Sequence, residues 1–186
     1  MLIKLSKKQT TFEASKDIAE FSRLETLEIS AKHTCHIIID CGELSALKKL
    51  YIYADGALGQ CLLTLKSAQN LEVLKLKGIS GSHELRAGHL KNLKILQLAN
   101  CNLNTIPNWC CEQRKLESLE LQNNLLESLP NEFEWLTGLR RLNIDNNLFQ
   151  EVPRVLANLE KLNHLSCDRN RITDENLFNF KKLKNS

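Results

Sequence analysis

Long apolar runs, a strong charge of one sign and a glycine-rich loop are all missing from this sequence. No apolar run approaches the roughly 18 residues of a membrane-spanning helix, which argues against a membrane protein. The net charge is +3, from 25 basic and 22 acidic side chains. So mild an excess argues against nucleic acid or a membrane surface as the main partner. The seven glycines are scattered rather than gathered into a loop that could cradle a phosphate.

The first residues also lack the features of a cleaved signal peptide. Residues 1–15 contain an apolar stretch of only about five residues and no cleavage site. The seven cysteines are an odd number and form no disulfide-like framework. We interpret them as reduced thiols, which predicts a cytoplasmic protein, and export without a cleaved signal remains an open alternative.

Proline is scarce as well, but its positions are regular. The only three prolines are 23 residues apart, at Pro107, Pro130 and Pro153. Self-similarity at a fixed period of about 20–50 residues indicates a solenoid of stacked repeats. Leucines that open each repeat recur every 22 to 24 residues, at Leu24, Leu47, Leu71, Leu93, Leu116, Leu139 and Leu162.

One repeat shows why stacking is required. Leu119 and Leu121 flank Glu120, and this alternation predicts a short strand with both leucines on one face. A single unit of this kind cannot close a core, whereas stacked units bury each leucine between its equivalents above and below. The strands of successive repeats are then expected to pair in parallel, about 4.8 Å apart.

The segment LESLELQNNLLESLP at residues 116–130 resembles the leucine-rich repeat pattern L-x-x-L-x-L-x-x-N/C-x-L. Its period and its Leu-Pro or Ile-Pro step resemble the 23-residue intracellular members of that family. Residues 93–172 match the pattern closely and residues 24–92 loosely. The resemblance implies an α/β solenoid, a horseshoe with a parallel β-sheet on the concave face. Loops, 3₁₀ segments and short helices are then expected on the convex face.

The whole chain, residues 1–186, is predicted to be one domain. Residues 1–23 are interpreted as an N-terminal cap, 24–172 as the repeats and 173–186 as a C-terminal cap. The resemblance also implies a structural side chain at the ninth position of each repeat, buried and bonded to backbone groups of neighbouring turns. These residues are Cys101, Asn124, Asn147 and Asn170. The first three repeats lack such a residue there, which predicts less regular loops.

Several local elements follow from the pattern. Residues 2–6 are predicted to form a first strand, and Cys35–Asp40 an extra extended segment. Helix-forming composition predicts a capping helix over residues 12–22, and i, i+3, i+4, i+7 spacing predicts an amphipathic helix over residues 58–68. A last helix is predicted from Thr173 or Asp174 to Lys184. Leu177, Phe178, Phe180 and Leu183 would cover the final turn.

Three constellations could carry chemistry, and none is predicted to do so. His33, Cys35, His36 and Cys41 do not match zinc-ligand spacing, and the vicinal pair Cys110–Cys111 is interpreted as small buried hydrophobes. The third set is His164, Ser166 and Asp145, in which the first two lie roughly 7 Å apart along one strand. A catalytic hydroxyl must approach its base to within about 3 Å. We therefore predict no catalytic residue, no metal site and no cofactor.

The outward residues of the sheet form three columns across successive strands. If these residues have no binding role, they should form a solvated polar face, and the outward residues of the late repeats fit this description. Both tyrosines of the protein and two β-branched apolar residues interrupt it on three adjacent early strands, with lysines around them. Such anchors ringed by charge are typical of a protein-binding hot spot. The predicted partner-binding residues are Lys49, Tyr51, Tyr53, Val73, Lys75, Lys77, Ile95 and Gln97.

The resemblance implies a rigid, curved scaffold for protein–protein interaction, not an enzyme. Its predicted partner is another protein, held on the concave face, with no nucleic acid and no membrane involved, and the chain itself is predicted to be a monomer. The alternative is a targeting or regulatory subunit of an enzyme complex, including a bacterial effector delivered to host cells. The irregular early repeats could also cover the tyrosines with their own loops, which is the competing interpretation of the patch.

Overall fold

The structure is a computed structural model that describes residues 1–4, 11–13, 23–31, 35–40, 44–54, 61–66, 69–79, 90–173 and 175. Within these residues lie eleven strands, the helix α1 at Asn108–Cys111 and two 3₁₀ segments at Asn131–Trp135 and Arg154–Asn158. The strands are β1 Leu2–Lys4, β2 Thr11–Glu13, β3 Thr26–Ala31, β4 Cys35–Asp40, β5 Lys49–Ala54, β6 Cys61–Lys66, β7 Val73–Lys77, β8 Ile95–Ala99, β9 Ser118–Glu120, β10 Arg141–Asn143 and β11 His164–Ser166.

Eight of the strands form one parallel sheet, in the order β1-β3-β5-β7-β8-β9-β10-β11. Each repeat contributes one strand, which begins two residues after the repeat's first leucine. Every neighbouring pair in this sheet is parallel. The predicted solenoid, its seven regular strands and the additional strand near residues 2–6 are all confirmed.

The core is a column of leucines behind the sheet. In β3 the burial alternates, with Leu27 and Ile29 fully buried and the residues between them half-exposed. The register places Leu27 beside Leu50 of β5, which in turn lies beside Leu74 of β7. Burying a leucine side chain contributes about 1.5–3 kcal/mol relative to leaving it in water. The repeat of this one contact explains why the stack holds together.

Buried asparagines join each turn of the late repeats to the turn before it. The Asn124 Nδ2 donates hydrogen bonds to the carbonyl oxygens of Leu98 (2.7 Å) and Leu121 (2.8 Å). Its Oδ1 accepts from the backbone N–H groups of Cys101 (3.0 Å) and Leu103 (3.1 Å). One side chain therefore bonds four buried residues through their backbones, three of them outside the strands, and buried backbone groups must be paired.

The same arrangement recurs one repeat later. The Asn147 Nδ2 donates to the carbonyl oxygens of Leu121 and Ile144, both at 3.0 Å, and its Oδ1 accepts from the Leu126 N–H at 3.0 Å. Asn170, which is half-buried, repeats it near the last described residues.

One repeat earlier, Cys101 occupies the equivalent position with a sulfur in place of the amide. Its Sγ lies 3.4 Å from the carbonyl oxygen of Ala99 and 3.7 Å from that of Leu76. Backbone groups of Gly78 and Ile79 also hydrogen-bond the sulfur. A thiol is a weak donor and a weak acceptor, so this turn is held by weaker bonds than the turns built on asparagine.

A second set of asparagines makes the bends possible. Asn100, Asn123 and Asn146 have φ of 55°, 60° and 52°, and Gly78 has φ of 70° at the equivalent turn of the preceding repeat. This left-handed region is disfavoured for most side chains, and asparagine and glycine tolerate it best. The two residues of each asparagine doublet, at 123–124 and 146–147, therefore have different roles. The first adopts the left-handed conformation that turns the chain, and the second hydrogen-bonds the neighbouring turn.

The convex side of the late repeats carries short helical turns, as predicted. Each begins directly after one of the three prolines, at Asn108, Asn131 and Arg154. The proline carbonyl oxygen accepts the first backbone bond of each turn, for example from the Phe133 N–H to Pro130 at 3.0 Å. A fixed φ and the missing N–H suit proline to this position before a helical turn.

The convex side of the early repeats is a second, three-stranded parallel sheet with the order β2-β4-β6. The extended segment predicted at Cys35–Asp40 is confirmed as β4. The helix predicted over residues 58–68 is wrong, because Cys61–Lys66 is a strand paired with β4 over six residues. The helical spacing of its apolar residues was also compatible with a strand, and the backbone partners offered by β4 decide between the two.

The predicted N-terminal helix is wrong where the structure describes it, since Thr11–Glu13 is a strand paired with β4. Residues 14–22 lie outside the described residues, as does nearly all of the helix predicted to end at Lys184. The proposed boundaries of the two caps therefore stay predictions. Among the described residues, no helix is long and apolar enough to cross a membrane.

The buried amide of Asn147 supports a first prediction. Asn147→Ala should lower the free energy of unfolding by about 1–3 kcal/mol, because the Leu126 N–H and the carbonyls it bonds lose their partners. Glu127→Ala, at an exposed position, should change it by less than about 0.5 kcal/mol. Urea titrations of the three proteins measure the difference, and equal midpoints would show that the amide is dispensable.

Two aromatic residues in one 3₁₀ segment support a second prediction. Phe133 is completely buried, whereas Trp135 is 45% exposed. Phe133→Ala should therefore cost about 3–5 kcal/mol through the cavity it leaves, and Trp135→Ala less than about 1 kcal/mol. Thermal unfolding of the pair tests this, and a larger loss for Trp135→Ala would contradict the assigned packing.

Candidate functional site

The outward residues of the early strands lie side by side, in the register predicted from the sequence. Tyr51 of β5 is paired with Lys75 of β7, and Lys75 with Gln97 of β8. Tyr53 is likewise paired with Lys77. Two tyrosines therefore each neighbour a lysine across one strand boundary.

A more apolar row lies at the start of the same strands. Lys49 of β5 is paired with Val73 of β7, which is paired with Ile95 of β8. We call the eight predicted residues in these rows the tyrosine patch: Lys49, Tyr51, Tyr53, Val73, Lys75, Lys77, Ile95 and Gln97.

The exposure of the tyrosine patch differs from the expectation at one position. Val73 was expected to face solvent, but only 9% of it is accessible. It lies between Lys49 and Ile95 in the register of the sheet. Lys49 and Lys77 are exposed, and the others are half-buried. Both tyrosines are thus half-buried.

The environment of Tyr53 keeps its hydroxyl protonated. Burial raises the pKa of the Tyr53 phenol above its ordinary value of 10.0, and the negative charge of Glu28 and the neighbouring Tyr51 raise it further. The phenol is therefore neutral over the whole physiological range. A neutral phenol can donate a hydrogen bond as well as accept one, so Tyr53 offers a donor to an acidic group.

The lysines of the tyrosine patch form no ion pair with another described residue. The ion pairs among described residues are Lys48–Glu25 (3.2 Å) and Lys94–Glu72 (2.9 Å). Both pairs precede the strands and lie outside the outward columns. They are largely exposed, so they contribute little to stability. Lys49, Lys75 and Lys77 have no carboxylate of a described residue within 4.0 Å.

The later half of the concave face is more acidic and internally bonded. The Gln97 Nε2 donates to Glu120 at 2.7 Å, which joins the edge of the tyrosine patch to β9. Asp145 accepts hydrogen bonds from the Ser166 Oγ (2.7 Å) and the Asp168 N–H (2.7 Å). The carboxylates of Glu120 and Asp145 therefore already accept hydrogen bonds from residues of the concave face.

The same contacts bear on the possible catalytic set of His164, Ser166 and Asp145. The Ser166 hydroxyl donates its hydrogen bond to the Asp145 carboxylate and not to the His164 imidazole. His164 is paired with Arg141, one row away from Ser166. A nucleophile must hydrogen-bond its base, and the described residues show no such bond here.

The candidate thiol and metal residues are brought together only in part. Cys110 and Cys111 are buried in α1 with free thiols, and burial raises the pKa of both, to about 11 for Cys111. His36 lies half-buried in β4, whereas His33 and Cys41 lie outside the described residues. The described part of the chain contains no cluster of three or more potential metal ligands.

Trp135 is an exposed aromatic residue that our interpretation of the sequence missed. It lies on the convex side beside Arg114, Glu134 and Asn158, which line a shallow groove with it. Its equivalents 23 residues away are Glu112 and Asn158, both polar and exposed. Aligning the segments after each proline, as well as the strands, would have singled it out.

Comparison with known proteins identifies the family. The sequence model of a leucine-rich repeat region matches residues 56–185, which is more than half of the chain. The protein therefore belongs to the leucine-rich repeat family. No curated protein sequence matches it.

Two solved structures share the fold at low sequence identity. A leucine-rich repeat protein of Leptospira interrogans is 22% identical with a TM-score of 0.60, over 94% of this chain and 56% of its own. A plant peptide hormone receptor in complex with RGF2 is 19% identical with a TM-score of 0.59, over 92% of this chain and 34% of its own. The chain thus spans about half and a third of their lengths.

The buried thiols support a third prediction. With a pKa of about 11 for Cys101 and Cys111, only about one thiol in a thousand is ionised at pH 8, and the thiolate is the reactive form. Iodoacetamide at pH 8 should therefore label Cys101, Cys110 and Cys111 at least about tenfold more slowly in the folded protein than in guanidinium. Because folding raises these pKa values, the thiols should favour unfolding as the pH rises from about 8.5 to 11. Peptide mass spectrometry measures the labelling. Rapid modification of Cys110 and Cys111 in the folded protein would contradict their burial.

Proposed function

We propose that this chain is a protein-binding scaffold that holds its partner on the concave face, at the tyrosine patch, without catalysing a reaction. The observation that carries the proposal is the half-buried pair Tyr51 and Tyr53 among lysines that form no ion pair with a described carboxylate. Tyrosine combines large contact area with a polar end and is enriched in binding hot spots.

The repeat itself does not require these residues. The buried face of β5 consists of Leu50 and Ile52, both fully inaccessible, so the strand's core contacts are complete without the tyrosines. In later strands the same columns hold polar residues such as Gln97 and Glu120. An aromatic pair at positions that packing leaves free favours a role in recognition.

The family supports the general part of this proposal. Solenoids of stacked repeats present extended concave surfaces that are suited to binding other macromolecules. The plant receptor that shares the fold was solved in complex with RGF2, which is in keeping with a protein or peptide partner. We propose a monomer in a cytoplasmic setting, in which the free thiols described for Cys101, Cys110, Cys111 and Cys167 would stay reduced.

The fourth prediction tests the location of the site. The protein, its Tyr51→Ala variant and its Arg141→Ala variant would each be used to isolate partners from the cell of origin. Arg141 is an exposed residue of the same concave face, four strands away from Tyr51, so it controls for general changes of that surface. A protein recovered by the parent and by Arg141→Ala, but depleted with Tyr51→Ala, is the expected result.

The recovered partner then allows a quantitative measurement. Tyr51→Ala should weaken its binding by about 2 kcal/mol or more, roughly 30-fold in Kd, and Arg141→Ala by less than about 1 kcal/mol. The melting temperature of Tyr51→Ala should stay close to that of the parent, because Leu50 and Ile52 form the core. Undiminished binding by a folded Tyr51→Ala variant would refute the proposed site.

A further inference from the structure

The charges of the concave face are segregated along the solenoid. On the outward positions of β3, β5, β7 and β8, there are three lysines and one carboxylate: Lys49, Lys75, Lys77 and Glu28. From β9 onward the balance reverses. There, three carboxylates outnumber one arginine in the same columns: Glu120, Asp145, Asp168 and Arg141. The small net charge of the whole chain conceals this separation.

The charged side chains of the two halves differ in sign, and they also differ in whether neighbouring residues already bond them. Asp145 and Glu120 of the acidic half accept hydrogen bonds from their own face, whereas no described carboxylate lies within 4.0 Å of the three lysines. Unpaired charges of one sign around half-buried tyrosines provide complementarity for a partner of the opposite sign. The neutral Tyr53 hydroxyl adds a donor suited to a carboxylate.

A polar groove extends the tyrosine patch along the ends of the strands. It begins at Lys77 and Gly78, has a volume of about 760 Å³, and continues past Asn100, Asn123 and Asn146. Asn146 Nδ2 donates to Asn123 Oδ1 at 2.7 Å. The side-chain amide of Asn100 makes no hydrogen bond to a described residue, whereas its backbone N–H donates to the Gln122 carbonyl oxygen. Side-chain amides both donate and accept, as a peptide backbone does, whereas a phosphate backbone only accepts.

Building on the proposed function, we propose that the partner presents an extended acidic segment. Its carboxylates lie against Lys49, Lys75 and Lys77, and an apolar side chain packs between Tyr51 and Ile95. Its backbone continues into the asparagine groove. A nucleic acid fits less well, because each additional phosphate would approach the carboxylates of the later strands.

Peptide selection tests the sign of the partner. Two displayed libraries of 12-residue peptides would share Leu, Phe, Trp, Gly and Ser, one with Asp and Glu and the other with Lys and Arg in their place. Both would be selected on the immobilised full chain, and the Kd of enriched peptides measured by fluorescence polarisation. We expect acidic peptides to be enriched at least tenfold over basic ones. Their binding should weaken as salt rises from 0.05 to 0.5 M, since exposed charges are screened.

Matched charge reversals test the place of binding. Lys49→Glu with Lys77→Glu should weaken the acidic peptides at least tenfold, and Lys49→Arg with Lys77→Arg should retain them. Lys115→Glu with Lys161→Glu makes the same change of charge at exposed positions outside the outward columns, and should alter Kd less than twofold. All four residues are exposed, and circular dichroism would verify that each variant is folded.

The contrary outcomes separate this inference from the proposed function. Enrichment of basic peptides that Tyr51→Ala abolishes would overturn the acidic segment but leave the concave site in place. Acidic peptides that bind equally to the Lys49→Glu, Lys77→Glu and Tyr51→Ala proteins would count against both. Tighter binding of a 12-residue oligothymidylate would assign the patch to nucleic acid. Charge-dependent dimers in sedimentation would assign it to a second copy, and no enrichment from either library would also overturn the inference.

Discussion

The amide of a buried asparagine is the interaction on which the late repeats depend. Backbone bonds between successive turns pair only part of the chain that follows each strand, and Asn124 or Asn147 supplies further donors and an acceptor. Since an unpaired buried backbone group costs about 1–3 kcal/mol, the leucine column alone would not make the turns regular. The strands of the tyrosine patch lack these asparagines, and their own parallel pairing and buried leucines align them.

The sequence was most informative where one side chain has one structural role. Leucine spacing predicts the strand register, and that register places Tyr51 beside Lys75 as expected. Proline predicts the start of each convex turn. These inferences succeed because the repeat places the same physical requirement at the same position each time.

Prediction failed where neighbouring segments decide the outcome. The residues of β6 have an apolar spacing compatible with a helix, but the backbone partners offered by β4 make them a strand. Val73 is buried although the alternation of its strand predicts an outward position, and its own sequence context does not reveal this burial. Trp135 was missed because only the strand columns were aligned.

The second sheet has a consequence for curvature. Where β4 and β6 lie behind the strands of the main sheet, both faces of the solenoid repeat at the spacing of paired strands, about 4.8 Å. Equal spacing on the two faces gives the stack no reason to bend. In the late repeats, short helical turns occupy the convex side instead, and a helical turn is wider than a strand, so curvature is expected there. The tyrosines of β5 are thus expected on a flatter part of the sheet, and Asp145, which follows β10, on a more curved part.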